Sequence, residues 1–321
     1  MAKTVLVLGA TGGVGGETAR ALMSRGWAVR GLARREMAQT DGLLWFKGDA
    51  LDPKAVREAA EGTSVIVHAV NPPGYRQWGK VALPMLDNSI AAARETGARV
   101  VLPGTVYNYD PRETPVATEN SPQNPNTRKG RIRKEMEQRL QQVPSLVLRA
   151  GDFFGTRALN SWLSTAMISH GKPVRSIVYP GQPDVGHSWA YLPDVGETIA
   201  QLLDQEQFLP EQARFHFAGF WDPDGSQFVA AIREAANAPK AKLRRLPWAL
   251  LPLIAPFNET IRETIEIRTF WQNPVRFDNR ALVEFLGHEP RTPLNAALRT
   301  TLAAFGCIDQ GTSAAPVHQM G

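Results

Sequence analysis

The first 150 residues alternate short apolar runs, rich in β-branched residues, with segments of helical periodicity. Strands are predicted at residues 4–8, 27–33, 43–47, 64–69, 99–103 and 144–149. Helices with apolar positions at 3.6-residue spacing are predicted at about 14–25, 53–60, 80–96 and 128–142. This alternation predicts an α/β fold of the Rossmann type, a doubly wound parallel sheet with right-handed crossovers.

After Gly151 the rhythm changes to shorter elements with frequent prolines and most of the tryptophans. We expect residues 1–150 to form a dinucleotide-binding domain and residues 151–310 to form mainly a smaller C-terminal substrate lobe. A helix predicted at 194–205 is expected to return to the sheet of the first domain. The small and polar residues at 311–321 predict a flexible tail.

A glycine-rich loop joins the first strand to the first helix. Gly9, Gly12 and Gly15 have the spacing G-x-x-G-x-x-G. Without side chains the chain turns sharply and a pyrophosphate approaches the backbone N–H groups at the helix N-terminus. The sequence therefore predicts a dinucleotide site here, formed by Gly9, Thr11, Gly12, Gly13, Val14 and Gly15.

The end of the second strand indicates which dinucleotide is preferred. An acidic residue there binds a free ribose 2′-hydroxyl, whereas arginine pairs with a 2′-phosphate. This chain has Arg34 and Arg35 at that place. We therefore expect NADP(H). Asp49, after the third strand, is interpreted either as an acceptor for the adenine amino group or as a turn cap.

Several motifs resemble the extended or atypical short-chain dehydrogenase/reductase family, in its NAD-dependent epimerase/dehydratase branch. They are GATGGVG, GDALD, VIVHAVN, LRAGDFFG and WAYLPDVGETI, in the family's order along the chain. The resemblance implies a Rossmann fold and a nicotinamide cofactor, and it adds Ala50, Val70 and Asn71 to the predicted cofactor site.

The family's catalytic signature, Tyr-x-x-x-Lys, is replaced in this chain. The resemblance places Thr105 at the family's hydroxyl position, Lys129 at the tyrosine position and Arg133 at the lysine position. In one interpretation Lys129 is the proton donor or base, with a pKa depressed by Arg133 and desolvation. In a second, the segment that continues the fifth strand supplies the tyrosine. An extended chain there presents Thr105, Tyr107 and Tyr109 on one face, toward the nicotinamide. In a third, the basic helix is a solvated or phosphate-facing edge, the tyrosines are packing residues, and no proton chemistry occurs there. Arg133 is also a candidate for binding the ribose hydroxyls.

The resemblance places a substrate site beyond the sixth strand. Its predicted residues are Asp152, Phe153, His187 and Trp189. Asp152 occupies a position where relatives commonly carry Asn, and a histidine such as His187 can transfer protons near neutral pH.

Composition excludes several other classes of function. The net charge is +5, but the 36 basic residues are spread along the chain, so no nucleic-acid partner is expected. One cysteine and six scattered histidines predict no metal site. The apolar stretch at 246–257 is too short and proline-rich to span a bilayer, and no membrane partner is expected. It is interpreted as a buried or lid segment, with a homodimer contact or a membrane-surface patch as alternatives. A cytoplasmic location is expected.

These features together predict a reductase that transfers hydride from NADPH to a small, apolar carbonyl or activated double bond. Two alternatives stay open: a sugar-nucleotide epimerase or dehydratase, and a non-catalytic NADP-binding redox sensor similar to NmrA-like regulators.

Overall fold

The central sheet has the predicted topology. A computed structural model describes residues 3–39, 42–71 and 78–308; the predicted tail at 311–321 lies outside the described residues. The strands of the described part are β1 Thr4–Leu8, β2 Ala28–Ala33, β3 Leu43–Lys47, β4 Val65–His68, β5 Arg99–Thr105, β6 Val116–Ala117, β7 Ser145–Ala150, β8 Asp152–Phe154, β9 Ser176–Tyr179, β10 His187–Tyr191, β11 Gln212–Phe217, β12 Phe220–Asp222, β13 Lys242–Arg245 and β14 Arg276–Phe277. Seven of them form a parallel sheet in the order β3-β2-β1-β4-β5-β7-β11. This order confirms the Rossmann-type fold class.

Helices cover both faces of the sheet. The α-helices of the described part are α1 Gly13–Ser24, α2 Pro53–Ala60, α3 Trp78–Thr96, α4 Arg128–Arg139, α5 Leu192–Asp204, α6 Ser226–Ala235, α7 Leu251–Ile254, α8 Glu259–Glu266, α9 Arg280–Leu286 and α10 Leu294–Ala304. Side chains of β1 alternate between two cores, with Val5 and Val7 against α1 and α5, and Leu6 and Leu8 against α2 and α3. Both faces of β1 are buried, which explains why the strand is apolar at nearly every position.

The sheet extends beyond the first 150 residues. Helix α5 packs against α1, and a Cβ added at Gly196 would lie 2.7 Å from the backbone carbon of Glu17. Strand β11 is the edge strand beside β7. The sequence pattern predicted the helix but not β11, whose residues QARFHF alternate polar and apolar over only six positions.

A second lobe is built from smaller sheets and aromatic side chains. Strands β12, β10 and β8 form one sheet, β13 pairs with β9, and β14 pairs with β6. Trp189 stacks on Phe228 at a centroid distance of 3.9 Å, and Trp271 packs in the same core. Of the residues described, none belongs to a helix with the length and apolarity that crossing a bilayer requires.

The apolar stretch at 246–257 differs from its predicted burial. Leu253 is 72% exposed and Phe257 is 92% exposed. The stretch forms the one-turn helix α7 and a 3₁₀ turn at Ala255–Phe257. Trp248 packs inward, donating from Nε1 to the carbonyl of Pro180 at 2.7 Å. The buried part of that prediction was wrong, because so short a helix packs on few residues and leaves its other side chains in solvent, whereas a lid role stays a prediction.

Candidate active site

The glycine loop forms a cradle of backbone atoms. Gly9 has φ +90°, and a Cβ there would lie 2.5 Å from the carbonyl oxygen of Ala69. A Cβ at Gly15 would lie 2.4 Å from the carbonyl oxygen of Gly9. Only glycine therefore fits at these two positions without moving backbone. Gly12 closes the turn, donating its N–H to the carbonyl of Gly9 at 2.8 Å.

The N-terminus of α1 is available to an anion. Gly12 is the N-cap residue, no described side chain caps the helix, and its first turn carries no acidic residue. Thr11 is exposed on the loop, Gly13 is half-buried, and Val14 is half-buried against the sheet core. Backbone N–H groups and the helix dipole at this end favour a bound phosphate.

Two exposed cations follow the second strand. Arg34 and Arg35 form a bend directly after β2, and both are exposed. After β3, the Asp49 carboxylate accepts a hydrogen bond from the N–H of Leu51 at 3.0 Å, which is the turn-capping arrangement. The carbonyl of Ala50 accepts from Asn88 Nδ2 at 2.8 Å. These contacts fix the loop after β3 and join it to α3.

The segment after β4 leads toward α3. Val70 is half-buried against the core, and Asn71 is exposed. Asn71 Oδ1 accepts from Trp78 Nε1 at 3.2 Å, which joins the end of β4 to the start of α3. His68, at the end of β4, is buried, and burial together with the nearby charge of Arg133 lowers its pKa to about 3.

The segment after β5 does not continue as an extended chain. Residues Val106–Asn108 form a 3₁₀ turn, which Thr105 caps by accepting the N–H of Tyr107 at 3.1 Å. Tyr107 is buried against Phe270, at a centroid distance of 5.1 Å. The prediction that Thr105, Tyr107 and Tyr109 share one face of an extended chain was wrong, because the cap starts a turn at Thr105.

The basic helix α4 is buried along one side. Lys129 has no exposed surface, and its ammonium donates to the carbonyl of Glu263 at 2.8 Å. It also forms ion pairs with the carboxylates of Glu263 and Glu266, the latter at 3.3 Å. Both partners are anions on α8, so the ammonium of Lys129 is directed at α8. The predicted solvation of this helix edge was wrong for Lys129 and Arg133, since both are buried, whereas the phosphate-facing alternative stays a prediction.

Arg133 lies one turn further along α4. Its Nη1 donates to the carbonyl of Pro103 on β5 at 3.3 Å, and its guanidinium lies 5.2 Å from the ring centre of Trp78. The residue therefore sits between α3 and the carboxyl-terminal half of β5, the side of the sheet on which ligands bind in open α/β folds.

Two predicted substrate residues form a pair. His187 Nε2 lies 2.8 Å from Asp152 Oδ2, and the imidazole stacks on Trp271 at 3.7 Å with an interplanar angle of 6°. Both residues line a cavity of about 10 Å³, which is close to the volume one water needs. Its other lining residues are Val106, Ser188, Phe270 and Val275.

The other two predicted substrate residues lie deeper. Trp189 has no exposed surface and belongs to the aromatic core of the second lobe. Phe153 is half-buried and packs against the sheet core. These environments give both side chains packing contacts, and the substrate role predicted for them stays a prediction.

A buried charged network under the site was missed by sequence analysis. Arg149 on β7 donates to Glu137 on α4 through Nε at 2.9 Å and Nη2 at 2.5 Å. It also donates to the hydroxyl of Tyr109 at 2.7 Å and lies 2.9 Å from His216 Nε2. Burial and the Arg149 charge lower the pKa of His216 to about 3, and burial raises the pKa of Tyr109 to about 12. One arginine in the apolar run LVLRA was the available signal, because a charge inside a buried strand needs a partner.

Metal chemistry has no candidate site in the described part of the chain, where no three histidine, cysteine or acidic side chains come together. This statement covers residues 3–39, 42–71 and 78–308 only.

Comparison with known proteins identifies relatives of the whole architecture. The model of the NAD dependent epimerase/dehydratase family matches residues 5–216. The enzyme WbmH of Bordetella bronchiseptica, solved with NAD⁺, is similar at a TM-score of 0.70 and 17% identity, over 95% of this chain and 98% of that chain. UDP-glucose 4-epimerase of Bifidobacterium longum, solved with NAD⁺ and UDP, is similar at a TM-score of 0.70 and 13% identity, over 94% and 97%. At such identities the likeness establishes the fold alone.

A curated protein is similar over a shorter stretch. Sterol demethylase protein B of Methylococcus capsulatus is 42% identical over 69 residues, which are 20% of this chain and 21% of that protein. The match thus spans about a fifth of the relative's length.

Proposed function

Because the chain belongs to the NAD dependent epimerase/dehydratase family, we propose that it binds a nicotinamide dinucleotide on its glycine loop and transfers hydride at a small-molecule substrate. The backbone cradle at Gly9 and Gly15, beside the uncapped N-terminus of α1, carries this proposal. A diphosphate suits that cradle because it accepts hydrogen bonds from backbone N–H groups and is stabilised by the helix dipole. The nicotinamide, when bound, supplies the hydride donor or acceptor.

NADP(H) is the dinucleotide that we propose. Arg34 and Arg35 are exposed at the bend after β2, where a 2′-phosphate would meet them. A charged hydrogen bond of this kind contributes about 1.5–3 kcal/mol. Replacing both arginines by alanine is therefore expected to weaken NADPH binding by at least about tenfold and to leave NADH binding nearly unchanged.

Titration of the purified protein with both reduced cofactors tests this preference. The matched control is Arg276→Ala, which removes an exposed arginine on β14. Tighter binding of NADH than of NADPH by the wild-type protein contradicts the proposal. Equal loss of both cofactors in the double variant also contradicts it, since the 2′-phosphate is the only difference between them.

We propose Thr105, Asp152 and His187 as the polar groups that hold the substrate oxygen and move its proton. The Thr105 hydroxyl accepts from Tyr107 and keeps its own hydrogen to donate. The carboxylate of Asp152 orients the imidazole of His187, and Trp271 fixes the ring plane. An oriented imidazole beside a cleft can act as a general acid or base.

Lys129 and Arg133 replace the family's tyrosine and lysine in this proposal. Lys129 holds α8 against α4 through Glu263 and Glu266, so the role that we propose for it is to position α8. Arg133 lies beside the carboxyl-terminal half of β5, where a guanidinium can donate to the ribose hydroxyls.

The residues around the Asp152–His187 pair are mostly apolar. Val106, Phe270 and Val275 face the Asp152–His187 pair, and Trp271 stacks on the histidine. We therefore propose a reductase acting on a small, apolar carbonyl or activated double bond as the first candidate.

A sugar-nucleotide epimerase or dehydratase is the second candidate, and the family model and the solved neighbours favour it over a reductase. A sugar diphosphate calls for clustered arginines near the pocket. Arg157 lies beside α1 at Gly16, and Arg175 is exposed before β9. In this candidate, Arg157 and Arg175 are the arginines available to a sugar diphosphate.

Two assays separate the candidates. Oxidation of NADPH by apolar aldehydes, ketones and quinones supports the reductase, whereas interconversion of UDP-glucose or dTDP-glucose without net cofactor oxidation supports the epimerase or dehydratase. In either assay His187→Asn is expected to lower kcat by about 100-fold or more, with a changed pH profile. His170→Asn, at an exposed histidine, is the control. Cofactor binding without either activity would indicate a sensor.

A further inference from the structure

The second lobe carries a short segment of exposed apolar side chains, which we call the apolar tip. It consists of Leu250, Leu253, Ile254 and Phe257, which are between 48% and 92% exposed. Scattered exposed apolar residues are common on soluble proteins, but four of them within eight consecutive positions form a contiguous surface. Such a surface is typical of a site that another molecule covers.

The chain that leads into the apolar tip carries several cations, and the first acidic residue after the tip is the half-buried Glu259. Residues 237–258 contain four cations, Lys240, Lys242, Arg244 and Arg245, and no aspartate or glutamate. All four are exposed, and among the described residues none of them forms an ion pair with a carboxylate. The exposed cations therefore directly precede the apolar tip in the chain.

We propose that the apolar tip and its four cations form a docking surface for an anionic lipid bilayer. Leucine and phenylalanine enter the boundary between headgroups and acyl chains, while lysine and arginine extend to the phosphates. No membrane-spanning segment is needed for such docking, so the short length of 246–257, which led us to expect no membrane partner, does not oppose it.

Charge argues against a second copy of this chain as the occupant. A two-fold dimer places the same patch of both copies face to face. The four cations of each copy would then oppose one another with no acidic residue of 237–258 to compensate them. An anionic surface, by contrast, attracts every cation of the patch, by an amount that falls as salt is added.

Vesicle co-sedimentation tests the proposal with the full chain. The wild-type protein is expected to bind phosphatidylcholine vesicles that contain phosphatidylglycerol, to bind pure phosphatidylcholine vesicles weakly, and to lose binding in high salt. Leu253→Asn combined with Phe257→Asn is expected to weaken binding by about 100-fold. Lys242→Glu combined with Arg244→Glu is expected to remove the preference for phosphatidylglycerol.

Matched controls lie on other surfaces. Phe208→Asn alters another exposed phenylalanine, and Lys47→Glu combined with Lys54→Glu makes the same change of net charge on β3 and α2. Both controls are expected to bind like wild type. Equal binding to the two kinds of vesicle, or a concentration-dependent dimer in lipid-free solution that Phe257→Asn disperses, would overturn the proposal.

Discussion

Removing Arg149 should destabilise the protein far more than removing a surface arginine. Glu137 is 5% exposed and accepts from Arg149, from Asn108 at 2.9 Å and from Gln123 at 3.0 Å. In Arg149→Met the two amides remain, but the carboxylate loses its compensating charge. Breaking a buried ion pair on one side costs about 3–5 kcal/mol of unfolding free energy. Tyr109 also loses the donor to its hydroxyl, which acts in the same direction.

Urea unfolding at neutral pH, followed by tryptophan fluorescence, measures this loss. The control is Arg139→Met, whose partners Glu135 and Asp87 are partly exposed, so a loss below about 1 kcal/mol is expected. The double variant Arg149→Met with Glu137→Met should be more stable than Arg149→Met alone, because no unpaired charge stays buried. A loss in Arg149→Met no larger than in the control would refute the reasoning.

Three further predictions follow from the described contacts. Gly15→Ala should lower cofactor affinity by at least about tenfold in an equilibrium titration, because the added Cβ displaces the loop backbone. From pH 7 to pH 5 the free energy of unfolding should fall by about 2 kcal/mol for each of His68 and His216, because each imidazole takes up a proton below about pH 6.5 in the unfolded chain and only near pH 3 in the folded chain. Urea titrations of His68→Asn at both pH values should show half of this dependence. Lys129→Met should speed amide hydrogen exchange in α8, whose Glu263 loses its buried partner, while Lys54→Met should not.

The sequence was sufficient for the parts of the fold that depend on local pattern. The strands from β1 to β5 and β7 are apolar runs flanked by helices with clear periodicity, and a strand buried on both faces must have such a run. The glycine loop was equally accessible, because bare backbone at fixed spacing has one structural consequence. Edge strand β11 was not, since its pairing with β7 depends on a partner about 65 residues earlier in the chain.

Long-range partners are the part of the candidate site that sequence could not supply. Asp152 and His187 were each predicted singly, but their pairing depends on the register of β8 against β10, in which Asp152 lies beside Trp189. Lys129 was predicted with Arg133 as its neighbour on the same helix. Its ion-pair partner Glu263 comes from a helix more than 130 residues away. The spacing of residues along a helix or strand shows which side chains are neighbours on that element. It gives no information on which other element packs against them.

A basic residue at a redox site can either donate a proton to the substrate or stabilise the packing of helices, and the position of Lys129 fits the second role. A proton donor must present its nitrogen to the substrate, whereas the Lys129 ammonium donates to Glu263 and pairs with Glu266, all on α8. The imidazole of His187 is oriented by Asp152 and lines a cavity of about 10 Å³, so it is the group that we propose for proton transfer. We therefore assign the proposed proton transfer to the imidazole on β10, and the packing of α8 on α4 to Lys129.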